Sequence, residues 1–165
     1  MGEIFFTGDY HLNHTNILKH EPDRPWCNVK EMAEGLIERF NSRVKKNDVC
    51  YFAGDMWFGD PSNWRKLENI LSKMNGTKHL VLGNHDDWDA FLYVKCGFTT
   101  VHTAVWVEEF IVVHDPSAAI IDKSKHWLTA HVHTLFKRVK NALNVGVDVW
   151  DFFPVSLDEV RNEFL

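Results

Sequence analysis

The chain has 165 residues and a formal net charge of −5, which gives no basic surface for tight binding to long nucleic acids. Hydrophobic residues make up 45% of it, with seven Trp and twelve Phe, a balance typical of folded proteins and opposite to that of disordered ones. This length predicts a single domain, residues 1–165, with a sizeable core. A small phosphate-bearing substrate stays compatible with the charge, because bound metal ions would supply positive charge locally.

The N-terminus and the cysteines favour a cytoplasmic protein. Met1-Gly2-Glu3-Ile4 has neither the basic residues nor the apolar stretch of a signal peptide. No apolar run approaches the roughly 20 residues that span a bilayer, so no membrane partner is expected. Cys27, Cys50 and Cys96 are widely spaced and form no Cys-x-x-Cys, which argues against a disulfide framework and a structural zinc site.

The first half of the chain is predicted to alternate strands and helices. Asn28 and Glu31 resemble an N-cap and its N3 partner, which predicts the start of one helix. The predicted strands are Ile4 to Thr7, Asp48 to Phe52 and Lys78 to Leu82. The predicted helices are Leu12 to Lys19, Val29 to about Arg43, a segment from near Pro61 to Gly76, and Trp88 to Lys95.

The second half is predicted to consist mostly of strands. Thr99 to Val107 and Phe110 to Val113 have the pattern of a hairpin that turns at Glu108 and Glu109. Further strands are predicted at His126 to Ala130 and Ala142 to Val147, and a final helix after Ser156. A first half that alternates strands with helices, followed by a second half made mostly of strands, indicates a layered α/β fold with a mixed sheet arrangement.

Polar residues follow five of the predicted strands. Asp9-Tyr10-His11, Gly54-Asp55 and Asn84-His85-Asp86 follow the first three, and His114 and His131-Val132-His133 follow two later ones. Because open α/β sheets build binding sites at the carboxyl ends of their strands, we expect these side chains to converge.

The donors at these strand ends are the oxygen and imidazole groups that divalent cations use. In Asp-x-His and His-x-His the two donors stand two residues apart, which on an extended backbone directs both to one face. A lone histidine is usually an ordinary core or surface residue, whereas the ordered set predicts a centre of two metal ions. The predicted ligands are Asp9, His11, Asp55, Asn84, His114, His131 and His133.

Other histidine motifs fit this chain less well. The segment from His131 to Leu135 lacks the Asp-His that metallo-β-lactamases carry, and no His-Glu-x-x-His occurs. His85-Asp86 is the pair of the HD phosphohydrolases, but those domains are all-helical and here the pair follows a predicted strand.

From Asp9 to His133 the order of these motifs resembles that of the calcineurin-like metallophosphoesterases. The segment from Asp9 to Ile17 is similar to the signature of the short prokaryotic and phage members, as are Arg24-Pro25-Trp26 and the tail from Asn144 to Val149. Ala130 and Asn13 stand where the family usually has glycine, and neither change removes a ligand.

The resemblance implies a four-layer α-β-β-α sandwich with two mixed β-sheets flanked by helices. It also implies two divalent ions, with Mn expected and Fe, Zn, Ni or Mg compatible. Asp9, His11 and His133 would hold the first ion. Asn84, His114 and His131 would hold the second, with Asp55 as the bridge.

The chemistry expected from this resemblance is attack on phosphorus by a hydroxide that bridges the two metals. His85 is expected to act as general acid rather than as a ligand, because neighbouring residues diverge and Asn84 already faces the metal. Asp86 would either orient that imidazole or cap the following helix.

The substrate is expected to be a small phosphodiester, such as a cyclic nucleotide. No arginine follows Asp55 closely, which weakens a phosphoprotein phosphatase interpretation. His14, Arg24 and Trp57 are candidate substrate contacts. Packing explains His14 equally well, whereas solvent exposure is the favoured explanation for Arg24 and burial in the core for Trp57. A broad phosphomonoesterase is the enzyme alternative, and a silent binding scaffold is the non-enzyme alternative.

Overall fold

The computed structural model describes residues 2–165, whose ten strands form two mixed five-stranded sheets. The first sheet has the order β10-β1-β2-β3-β4. Strands β1 to β4 run parallel to one another, and β10 pairs antiparallel with β1 at the edge of the sheet. These strands are β1 (Ile4–Thr7), β2 (Val49–Phe52), β3 (Thr77–Val81), β4 (Thr100–His102) and β10 (Val155–Ser156).

The second sheet has the order β5-β6-β7-β9-β8. Its central strands β6, β7 and β9 are parallel, and both edge strands are antiparallel to their neighbours. The strands are β5 (Val105–Val107), β6 (Phe110–Val112), β7 (His126–Thr129), β8 (Arg138–Val139) and β9 (Ala142–Asn144). In both sheets the parallel centre brings several carboxyl ends to one edge.

Six helices accompany the sheets: α1 (Ile17–His20), α2 (Val29–Arg43), α3 (Trp64–Leu71), α4 (Ala90–Cys96), α5 (Ala118–Ile121) and α6 (Leu157–Glu163). Helix α2 begins as predicted, because the Asn28 side chain accepts hydrogen bonds from two backbone N–H groups of its first turn. Ser156 and Glu159 form a capping box at the start of α6. Within residues 2–165, no helix is long and apolar enough to cross a lipid bilayer.

Alternating side chains divide the interior into two cores. On one face of the first sheet, Phe5 and Leu80 pack with buried residues of α2, α3 and α4, such as Leu36. On the other face, Phe6 and Val81 pack with buried residues of the second sheet. The first sheet is therefore covered on both faces, and the predicted layered architecture of two mixed sheets flanked by helices is confirmed.

Three local predictions were wrong. The segment from Thr99 to Val107 is not one strand, because β4 pairs with β3 and β5 pairs with β6, so the chain changes sheets between them. The helix predicted from Leu12 is reduced to α1, because Leu12 instead pairs with Trp57 in an isolated bridge. The strand predicted to Val147 ends at Asn144 and is followed by a 3₁₀ turn.

The shortest elements were not predicted at all. Strands β8 and β10 have two residues each, and α5 has four. Segments of this length carry too few residues for a hydrophobic period to be recognised. The two strands form because β1 and β9 present hydrogen-bonding edges to them.

Replacing Phe40 by Ala is expected to lower the free energy of unfolding by about 3–5 kcal/mol. Phe40 is fully buried in α2 against the first sheet, so its loss leaves a cavity. Phe91→Ala in α4 is the matched control, because that side chain is 74% exposed and should change stability by less than about 0.5 kcal/mol. Urea denaturation of both variants measures the difference, and equal losses would contradict the assignment of this core.

Candidate metal centre

The predicted ligands come together where the carboxyl ends of both sheets meet. Six of the seven form two groups of three, and within each group the donor atoms lie within 4.8 Å of one another. The first group is Asp9, His11 and His133, and the second is Asp55, His114 and His131. Each group combines one carboxylate with two imidazoles, a donor set suited to a borderline divalent cation.

Asp55 connects the two groups through a single oxygen. Its Oδ2 lies 3.4 Å from His11 Nε2 and 3.3 Å from His114 Nε2. The other oxygen, Oδ1, accepts a hydrogen bond from the backbone N–H of His85 at 2.9 Å. One carboxylate oxygen that faces an imidazole of each group is the arrangement a bridging ligand requires.

Asn84 belongs to the second group by position. Its Oδ1 lies 2.9 Å from His114 Nε2 and 2.8 Å from His131 Nδ1, and those two nitrogens are 3.2 Å apart. The Nδ1 of His114 is 2.7 Å from the carbonyl oxygen of Ala53. Because a carbonyl only accepts, Nδ1 of His114 carries a proton, so Nε2, which faces the group, is the nitrogen left to bind a metal.

The ligand loops owe their shape to left-handed backbone rather than to the extended backbone expected from sequence. Five predicted ligands have positive φ: Asp9 (55°), His11 (49°), Asp55 (52°), His131 (72°) and His133 (47°). Each such residue costs on the order of 1 kcal/mol or more. The spacing of two still brings the donors together, because the intervening Tyr10 turns into the core.

Hydrogen bonds between the loops hold this conformation. The backbone N–H groups of Asp9 and His11 donate to the carbonyls of Gly54 and Asp55, at 3.0 and 2.8 Å. The N–H of His131 donates to the Asp9 carboxylate at 2.9 Å, which links the second sheet to the first. The ligand positions are thus fixed by the protein itself.

Asp86 has neither of the two roles predicted for it. Its carboxylate accepts from the N–H groups of Gly83 and Met56, both at 2.9 Å, and more weakly from that of Trp57. It makes no hydrogen bond to the His85 ring, and the cap of α4 is Asp89. Asp86 therefore ties the loop after β3 to the loop after β2, because its buried carboxylate is the acceptor that reaches both.

Burial and close charges shift the pKa values of the ligands in opposite directions. Burial raises the pKa of Asp9 to about 6 and lowers that of His11 to about 3. Burial alone would raise the pKa of Asp55 and lower that of His114. The hydrogen bond and charge attraction between these two side chains outweigh burial. The net effect is to lower the pKa of Asp55 to about 2 and to raise that of His114 to about 9. In the centre, Asp9 is thus the carboxylate whose charge burial disfavours, while Asp55 is stabilised by His114.

The described residues fit a bound cation at this place. His11 Nε2 is buried and has no hydrogen-bond partner, a costly state for a polar atom in a protein interior. This nitrogen faces the Asp55 carboxylate, which lies between the two ligand groups. A divalent ion would satisfy this nitrogen and compensate the carboxylates together.

The rim beside the first group is formed by His85, His14 and Phe58. The His85 ring is half-buried and lies 5.4 Å from the His11 ring between centroids. His14 stacks on Phe58 at 4.3 Å, and Phe58 lies 5.9 Å from His85. Phe58 is 42% exposed, so an aromatic face borders the centre next to the predicted acid.

Two predicted substrate contacts lie on buried side chains. Trp57 is only 2% exposed and packs in the helix-side core near Trp88. Arg24 is 4% exposed, and all five of its N–H donors face protein acceptors, among them the Asp148 carboxylate. The geometry therefore argues against a phosphate contact for either side chain. Phe58, which immediately follows Trp57, is the exposed aromatic that the sequence alone did not distinguish.

Asp86→Ala is expected to lower the free energy of unfolding by about 1–3 kcal/mol, because it leaves buried backbone N–H groups without their acceptor. The matched control is Asp87→Ala, since Asp87 is the exposed neighbour and should matter little. Chemical denaturation of both variants measures this, and an Asp86 variant as stable as the Asp87 variant would show that the loop tie is unimportant.

Relatives of this chain have similar lengths. It is 29% identical to an uncharacterized protein of Methanocaldococcus jannaschii, over 96% of this chain and 89% of that protein. It is 26% identical to the gene 66 protein of Mycobacterium phage D29, over 98% of this chain and 95% of the phage protein.

Solved structures share the fold at lower identity. A protein of unknown function from Aquifex aeolicus matches with a TM-score of 0.76 and 19% identity, over 99% of this chain and all of that one. The nuclease MPE of Pseudomonas putida matches with a TM-score of 0.55 and 18% identity, over 79% of this chain and 61% of the nuclease.

A family model described as calcineurin-like phosphoesterase matches residues 3–161, nearly the whole chain. The two mixed sheets and the convergence of ligand-type residues at their carboxyl ends agree with that match. The chain belongs to the calcineurin-like phosphoesterase family.

Proposed function

We propose that this protein is a metal-dependent phosphodiesterase that hydrolyses small phosphodiesters such as cyclic nucleotides. Family membership indicates a hydrolase of phosphate esters. The observation that carries the metal dependence is the position of Asp55, whose Oδ2 faces an imidazole from each ligand group.

Two divalent ions, with Mn as the expected metal, would be held by the seven predicted ligands. The shared Asp55 would lie between them, with Asp9, His11 and His133 on one side and Asn84, His114 and His131 on the other. When bound, such ions neutralise phosphate charge and lower the pKa of a coordinated water. The oxygen and nitrogen donors are also compatible with Fe, Zn, Ni or Mg.

His85 is proposed to donate the proton that the leaving group needs. It belongs to neither ligand group, and its backbone N–H is held by Asp55. Its ring borders His11 on the half-exposed rim. A side chain beside the ligands, rather than among them, can reach a leaving oxygen without competing for the metal.

A diester is favoured over a monoester by the surface next to His85. Phe58 presents an exposed ring 5.9 Å from that of His85, and aromatic faces stack planar groups such as nucleobases. One protein of this fold is described as a nuclease, which is an enzyme that cleaves phosphodiesters. The net charge of −5 favours small diesters over long nucleic acids.

Substrate preference tests this proposal directly. Protein loaded with Mn²⁺ is expected to hydrolyse bis-(p-nitrophenyl) phosphate faster than the corresponding monoester. Phe58→Ala should raise KM for the diester roughly tenfold, the loss of one stacking contact, whereas the exposed but distant Phe91→Ala should leave it unchanged. A clear preference for the monoester would overturn the diester assignment and favour a phosphomonoesterase.

His85→Ala is expected to keep bound metal and to lose turnover by about 10²- to 10⁴-fold, the usual contribution of a general acid. Asp55→Ala should instead lose at least one metal equivalent, measured by elemental analysis after gel filtration. His20→Ala, an exposed histidine outside both groups, is the control and should retain both properties. Unchanged turnover in the His85 variant would exclude the acid role, and a wild-type protein without metal or turnover would indicate a binding scaffold.

A further inference from the structure

Arg24 and Asp148 form a buried ion pair beside the first ligand group. Their side chains are 0% and 2% exposed. Arg24 Nε and Nη2 donate to the two carboxylate oxygens, each at 2.8 Å, across 124 residues of sequence. Burying both charges carries a desolvation penalty, so a gain in stability is a weak explanation for the pair.

Asp148 also contacts a predicted ligand. Its Oδ2 lies 2.8 Å from Nδ1 of His133. Because a carboxylate paired with arginine is ionised and only accepts, the proton of His133 stands on Nδ1. The lone pair is then on Nε2, and a ring with one defined lone pair in a fixed orientation is what a metal ligand requires.

The other side of Arg24 holds the loop that carries Asp9. Nη2 donates to the carbonyl oxygen of Asp9 at 2.6 Å, and Nη1 donates to that of Tyr10 at 3.1 Å. Asp9 has a φ of 55°, a conformation that persists only when neighbouring contacts support it. One guanidinium thus supports two members of the first ligand group, Asp9 through its backbone and His133 through Asp148.

We propose that Arg24 and Asp148 are positioning residues for the first metal position: Asp148 sets the tautomer and orientation of His133, and Arg24 holds Asp148 and the Asp9 loop in place. This inference rests on the proposed metal dependence. It gives Arg24 a role in the centre that does not involve contact with phosphate.

A separate cation site at the same carboxylate fits the contacts less well. Glu21, His133 and Asp148 also bring donor atoms within 4.8 Å of one another. However, both oxygens of Asp148 already accept from Arg24, so the guanidinium is the cation at this place. Glu21 approaches His133 Nδ1 only to 3.9 Å.

The test compares variants that remove the contact in two ways. Asp148→Asn keeps an oxygen that can accept from His133 but loses the charge. The double variant Arg24→Met with Asp148→Leu removes both partners, so no unpaired charge is left in the interior. Glu109→Gln is the control, because Glu109 forms a similar two-point pair with Arg161 on the exposed surface.

Mn²⁺ binding by titration calorimetry is expected to weaken at one of two positions by about 10- to 100-fold in the double variant. The loss should be smaller in Asp148→Asn and absent in Glu109→Gln. ¹⁵N NMR of the histidine rings in metal-free protein should show the Nδ1–H tautomer of His133 in the wild type and its loss in the double variant.

A folded double variant with unchanged Mn²⁺ affinity and unchanged His133 tautomer would overturn the positioning role. Failure of the proposed function looks different, because the wild-type protein itself would then bind no Mn²⁺ and hydrolyse no phosphate ester. The tautomer measurement needs no metal, so it separates the two results. If the double variant does not fold, Asp148→Asn decides, since an unaltered Mn²⁺ affinity in that variant would contradict the proposal.

Discussion

The centre depends on the carboxylate of Asp55, which joins the two halves of the molecule. One oxygen faces an imidazole from each ligand group, and the other accepts from the loop after β3. The neighbouring glycines make room for it, since a Cβ on Gly83 would overlap Asp55 Oδ1 and a Cβ on Gly54 would lie 2.5 Å from His114 Nδ1. Any side chain at these positions would displace the contact on which the other ligands depend.

The packing of the two sheets determines which ligands can meet. Asp9, Asp55 and Asn84 follow strands of the first sheet, while the three histidines of the later motifs follow strands of the second. The hydrophobic core between the sheets therefore sets the distance between the carboxylate side and the imidazole side of the centre. Arg24 and Asp148 likewise fix ligand positions through a long-range contact, because they connect distant segments beside the first ligand group.

Features carried by local sequence were predictable, and features decided by long-range packing were not. Helix α2 could be placed residue by residue, because Asn28 caps it and its apolar period is regular. The polar residues at strand ends could be identified because each directly follows a short hydrophobic run in the sequence. In contrast, neighbouring aromatics such as Trp57 and Phe58 differ only in which side of the loop they face, and the burial of Arg24 depends on a partner 124 residues away.

The left-handed backbone at five predicted ligands has an evolutionary consequence. Histidine adopts this conformation at some cost, whereas glycine, and to a lesser degree asparagine, adopts it more easily. In a lineage that no longer needed metal, drift toward such residues at positions 11, 131 and 133 would stabilise the fold and go unopposed. Replacement of His11, His131 or His133 by glycine or asparagine is therefore the change to expect in a descendant that has lost its metal.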